Sequence, residues 1–150
     1  MAKQSEVVVR RRVTAPAERV WEILSDFAGI AKLSPAIQSC TVEGEGVGAV
    51  RTLGMPGGAS IQERLEAHDE QAKTFSYSII GNSPLPFNGY LSTVTVKPDG
   101  RDACLVDWRG RFEPKGEDEA GPARIVHGIY AGGLAALGKK LGVAVEEADG

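Results

Sequence analysis

The sequence predicts an α+β fold in which a curved, seven-stranded antiparallel sheet wraps around a long C-terminal helix, with two short helices after strand one. Three observations predict it. A valine-rich opening segment gives way to a short apolar stripe of helical period. Six short segments rich in β-branched and aromatic residues then follow at hairpin spacing, with no helix between them long enough to join parallel partners. The C-terminal segment, about Ala123 to Ala148, returns to helical spacing.

Taken in order, Val7 to Val13 is a β-branched strand bounded by Thr14-Ala15-Pro16. Thr14 is a capping residue type, and Pro16 suits a first helical turn. Val20, Ile23, Leu24 and Phe27 form one apolar stripe, which Gly29 ends. Ile30 to Leu33 supplies at most one further turn before Pro35. The expected strands are Ile37–Glu43, Ala49–Leu53, Ser60–Asp69, Thr74–Ile80, Tyr90–Lys97 and Cys104–Phe112, separated by turns rich in Gly and Pro. Acidic Glu117-Asp118-Glu119 precedes the final helix, where negative charge favours a helix start. Val126, Ile129, Tyr130, Leu134, Leu137 and Leu141 form that helix's stripe. Gly128, Gly132, Gly133, Gly138 and Gly142 interrupt it, each at about 1 kcal/mol relative to alanine. Bulk is therefore unwelcome there, either because a strand packs closely or because space is kept for a guest.

Composition narrows the function classes. With 150 residues, 42% hydrophobic and 25% charged, the chain suits one domain spanning 1–150 with a substantial core. Net charge is −3, so no basic field points to nucleic acid. The one basic run, Arg10-Arg11-Arg12, lies within a strand whose alternation sends neighbours to opposite faces. Cys40 and Cys104 allow one bridge, but two buried free thiols in a reducing compartment fit better. The N-terminus lacks the apolar core of a signal peptide, and no apolar run is long enough for a membrane span. A cytoplasmic monomer or homodimer is expected. His68 and His127 have no ligand spacing, so no metal is expected, and no phosphate-cradling motif or other cofactor signature occurs.

The informative residues are those that break the apolar pattern. Ile61, Glu63, Leu65 and Ala67 share one strand face, which puts a carboxylate among inward apolar groups. Such burial costs several kcal/mol unless the group is paired, hydrogen-bonded or protonated. Arg51 shares parity with Ala49 and Leu53 on the preceding strand and is the natural partner. The pair reads either as a structural salt bridge, or an edge position reaching water, or as a polar anchor or acid/base group in a pocket. Phe75, Tyr77 and Ile79 share a face, as do Tyr90, Ser92, Val94 and Val96, and Cys104, Val106, Trp108 and Phe112. The candidate pocket wall is Leu53, Met55, Leu65, Tyr77 and Ile79, continued by Phe87, Trp108, Tyr130 and Leu134. Two loops, Leu53–Gly58 and Asn82–Gly89, carry Met, Leu and Phe among Gly and Pro; they read as lids over a cavity or as packing onto the last helix.

Several stretches carry a resemblance: Pro16–Trp21, Asp26-Phe27, Val42–Arg51, Glu63–Asp69 and Tyr77–Ile80. In this order, over nearly the whole chain, they resemble the START/birch-pollen-allergen superfamily, most of all its polyketide cyclase/dehydrase-like branch. The resemblance implies a helix-grip fold with a hydrophobic cavity. Abscisic acid receptors are similar in the strand carrying Glu63, and their mobile gate and latch fall at Leu53–Gly57 and Ser83–Phe87; their ligand-carboxylate lysine falls near Ser34, where this chain has none. Lachrymatory factor synthase is similar through a pocket arginine, glutamate and tyrosine that match Arg51, Glu63 and Tyr90, while Ile79 stands where it has a second tyrosine.

Two functions follow as expectations. One is a binding module for a lipid-like, polyketide or aromatic molecule, its polar end anchored by Arg51 and Glu63. The other is a cyclase, dehydratase or isomerase in which Glu63 moves a proton, Arg51 stabilises developing negative charge and Tyr90 orients the guest. A receptor whose loops close on ligand and recruit a protein is a third.

Overall fold

The computed structural model describes residues 4–148. Strand β1 (Ser5–Val13) leads into helix α1 (Ala17–Leu24), a 3₁₀ turn at Phe27–Gly29 and a single helical turn, α2 (Ile30–Leu33). Pro16, not Thr14, is the cap: its ψ of 142° is still extended, and its carbonyl accepts the first helical bond, from Val20 N–H at 3.1 Å. Helix α1 buries Ala17, Val20, Trp21 and Leu24, the face its apolar spacing sets.

The meander follows as β2 (Ser39–Glu43), β3 (Val50–Gly54), β4 (Ser60–Asp69), β5 (Thr74–Ile80), β6 (Phe87–Pro98) and β7 (Cys104–Pro114), all antiparallel. Long helix α3 (Ala120–Leu141) comes next. The sheet has eight strands rather than the expected seven, in the order β2-β3-β4-β5-β6-β7-β1-β8. The eighth, β8 (Val145–Glu147), lies where the helix was expected to continue to Ala148. Gly142 is the reason: at φ +68° it adopts the left-handed conformation that ends helices, and its N–H and that of Val143 close back on Lys139 and Gly138 carbonyls. The chain then turns so that Val145 pairs with Val13.

Alternation along the strands holds apart from an irregularity in β6 between Asn88 and Leu91, which leaves both Phe87 and Tyr90 buried, and one in β4. In β4, Ile61, Glu63 and Leu65 are buried, but Ala67 is exposed. Leu65 pairs with Tyr77 and Ala67 with Ser76, so Glu66 is the extra residue of a bulge that reverses parity beyond it. Glu66 faces outward, where it accepts hydrogen bonds from Arg64 (2.9 Å) and from Ser78.

One end of the sheet–helix sandwich is solid. Val9, Val13, Val94, Val96, Val106, Val126, Leu134 and Leu137 are each at most 1% exposed. Cys104 is buried among them, and both cysteines are free; Cys40 is half-buried, not buried as expected. Burial pushes the Cys104 thiol up to about 11. Among the described residues no helix is long and apolar enough to cross a membrane, and no cluster of three or more His, Cys, Asp or Glu could hold a metal ion.

Candidate functional site

The opposite end of the sandwich is hollow. A cavity of about 180 Å³ lies between the inner face of β3–β7, the α2 turn with the segment after it, and the middle of α3. Its walls are almost wholly apolar, and among the described residues Glu63 is the only charged one that lines it.

The pairing of β3 with β4 sets Arg51 directly opposite Glu63, both inward by parity. Their side chains are 2% and 9% exposed. Arg51 Nε donates to Glu63 Oε1 at 2.8 Å, and Nη2 lies 2.7 Å from the same oxygen as an ion-pair contact. Nη1 donates to the Phe27 carbonyl at 3.0 Å. Nη2 has no aligned hydrogen-bond acceptor among the described residues. The guanidinium is sandwiched between the Phe27 ring (4.2 Å) and the Tyr77 ring (4.8 Å). Arg51 does not border the main cavity. It stands behind Glu63, against a satellite void of about 10 Å³. Burial raises the Glu63 carboxyl above its ordinary range, and the facing guanidinium offsets part of that rise.

Aromatic residues build the far wall. Tyr90 and Tyr130 share a hydroxyl–hydroxyl hydrogen bond at 2.5 Å. Trp108 Nε1 donates to Ser92 Oγ (3.0 Å) and Tyr77 Oη (3.2 Å). Trp108 also stacks on Tyr130 at 4.9 Å between centroids. Burial raises the Tyr77, Tyr90 and Tyr130 phenols, so all three stay protonated and act as neutral polar groups.

Of the residues expected from sequence, Glu63, Leu53, Met55, Tyr77, Ile79, Phe87, Tyr90 and Trp108 all border the cavity. Leu65, Tyr130 and Leu134 do not: each is buried in the packed core, and Tyr130 meets the wall only through Tyr90 and Trp108. Sequence reasoning missed the contribution of Ile30, Leu33, Ser34 to Ile37, Ile61 and Ile129, and named Leu85 only within a lid loop. The first of these carried a signal, an apolar run with Pro35 that precedes the expected strand. Both lid candidates reach the cavity, one through Met55 and the other through Leu85 and Phe87.

The helix glycines take both roles that the sequence left open. A Cβ on Gly133 would stand 3.0 Å from the Trp108 ring, and one on Gly138 would press on Val145. Gly128 and Gly132 have nothing within 4 Å of an added Cβ and border the cavity. In the sheet, a Cβ on Gly110 would overlap the Tyr130 hydroxyl, so that glycine lets the tyrosine pair form.

Comparison with known proteins places this architecture. Residues 4–142 match the family model described as polyketide cyclase / dehydrase and lipid transport. The chain belongs to this family. Among its relatives, MLP-like protein 423 of Arabidopsis thaliana is 34% identical over 116 residues, which is 70% of this chain and 74% of that protein. Abscisic acid receptor PYL7 of the same plant is 32% identical over 110 residues, 69% of this chain but 52% of the receptor, so the chain spans about half the receptor's length. An uncharacterised protein of Bacillus thuringiensis of known structure superposes with a TM-score of 0.81 at 34% identity, covering 89% of this chain and 96% of the other. Family membership agrees with the helix-grip architecture, in which a curved sheet holds a long C-terminal helix.

Proposed function

We propose that the protein binds a small, mostly hydrophobic molecule in the cavity between its sheet and α3, with Glu63 and Arg51 at the polar end. One observation carries this reading: the apolar hollow contains a single carboxylate, held by an arginine that does not itself reach the cavity. A folded chain seldom keeps an unfilled apolar space, because its lining forgoes packing contacts. Filling by a guest recovers them. The volume, about 180 Å³, exceeds that of an engineered cavity of roughly 150 Å³ that takes up benzene. The family's lipid-transport members and the abscisic acid receptor relative support a binding role. Mass spectrometry of the purified protein should detect an apolar compound released on denaturation. The reading fails if nothing is released and apolar fluorescent probes do not bind.

A catalytic reading draws on one further observation. Glu63 borders the cavity with a carboxyl raised by burial, which makes it a better proton carrier toward a guest than an ordinary carboxylate. In a cyclase, dehydratase or isomerase it would take a proton from carbon beside a carbonyl and return it elsewhere, with Tyr90 orienting the guest. Glu63→Gln would then lower turnover of a substrate by about 10²–10⁴-fold. Unchanged turnover would exclude this role.

A further inference from the structure

The charges that a guest would meet restrict its chemistry more than the cavity's size does. This step rests on the binding site proposed above. Among the described residues, Glu63 is the only ionisable acid or base of the wall apart from tyrosines, and no Lys, Arg or His borders it. Arg51 is unavailable to a guest. Its guanidinium is 2% exposed, clamped between two aromatic rings and bonded to Glu63 and the Phe27 carbonyl. Nη2, the guanidinium nitrogen without an aligned acceptor among the described residues, belongs to a side chain facing the satellite void, whose volume of about 10 Å³ suits no more than a single water. Both guanidinium contacts fall on Oε1 of Glu63, so Arg51 leaves the other carboxylate oxygen uncontacted.

We infer that the cavity selects guests bearing a hydrogen-bond donor, a hydroxyl or an ammonium group on an aromatic or alicyclic body, and rejects carboxylates. A hydroxyl or ammonium donates to Glu63 and leaves its apolar body against Leu53, Ile79 and Phe87. A carboxylate would bring a second anion beside Glu63, closer to that carboxylate than to the Arg51 guanidinium bonded on its other side, and at such separations out of water the nearer like charge outweighs the farther opposite one. The tyrosine hydroxyls on the far wall can hydrogen-bond an oxygen of either kind of guest, but being neutral they do not remove that repulsion.

Three probes of nearly one shape test this: 2-naphthol, 2-naphthylmethylamine and 2-naphthoate, each titrated at pH 7 into the purified full-length chain by calorimetry or by fluorescence. The naphthol and the amine are expected to bind at least about tenfold more tightly than the carboxylate. In Glu63→Gln, with circular dichroism confirming the fold, the carboxylate should gain on the other two by about tenfold or more, because the guanidinium's charge is no longer neutralised. Equal or tighter binding of 2-naphthoate by the unaltered chain overturns the inference and leaves the binding site standing. Failure of all three probes to bind removes the site itself, and this inference with it. The ladder on the unaltered chain decides the matter even if the variant does not fold.

Discussion

The two ends of the sheet–helix sandwich share one helix, α3, and treat space in opposite ways. At the β1–β8 end, valines of β1, β6 and β7 form one core with Val126, Leu134 and Leu137 of α3 and with Val20 and Trp21 of α1, with almost no exposure. At the other end, where β3–β5 and the cavity-side residues of β6 and β7 face α3, the sheet stands away from the helix and the gap persists. The difference teaches that one helix can be both core and cavity wall, depending on which of its glycines is filled against and which faces the void. Gly133 and Gly138 let neighbours close in; Gly128 and Gly132 face open space.

Four experiments would break or sharpen this contrast, beginning with the largest effect. Arg51→Met strands a carboxylate in the hollow end and should cost about 3–5 kcal/mol in urea unfolding; adding Glu63→Leu should recover most of that loss. If the double variant is no better than the single one, the pair is not a coupled unit. Leu134→Ala, at the solid end, should cost about 2–5 kcal/mol, while Met55→Ala at the cavity rim should stay within about 0.5 kcal/mol. Equal losses would mean the two ends are packed alike. Third come the helix glycines. Gly133→Ala should destabilise by roughly 1–3 kcal/mol through the Trp108 ring, whereas Gly132→Ala should stabilise α3 by up to about 1 kcal/mol. The same sign for both would deny the distinction.

The smallest effect is a pH slope. Burial raises the native Glu63 carboxyl above its ordinary value near 4.5. The folded chain therefore keeps this proton at pH values where the unfolded chain has lost it. Stability from this group is complete below about 4.5 and falls as pH climbs from there through the native value. Asp107, held low by Arg109 and Arg10, works in the opposite direction, so the quantity to measure is the difference between the unaltered chain and Glu63→Gln. That difference should grow with pH across the window; a flat difference would place the native carboxyl at its ordinary value.

Much of the fold was readable because period-two alternation names the inward residues of each strand. The same rule marks Glu63 as an anomaly and Arg51 as its partner, and β3–β4 pairing sets them face to face. What escaped had local causes. The bulge at Glu66 has no signature beyond one extra residue, yet it moved Ala67 to the outer face. Strand β8 is three residues long, too short to show a period, and it follows a helix whose pattern continues smoothly into Val143. Tyr130 and Leu134 share the inward stripe of α3 with cavity-side positions; a helical stripe tells which way a residue faces but not whether anything stands opposite. The docking of Ile30 to Ile37 on the cavity depends on tertiary packing that a single helical turn does not encode.

The three residues of β8 have a consequence out of proportion to their length. They pair with β1 at Arg11 to Val13, and Ala148 N–H reaches the Arg10 carbonyl. Without that hem, the open rim of a valine-rich strand would offer its amides and carbonyls to any other extended chain, a template for self-association. Glu147 and Glu146, set opposite Arg11 and Arg12, make the hem acidic on a basic strand. Trimming the protein after Leu141 would thus remove no residue that lines the cavity, yet open this rim of β1 to other chains.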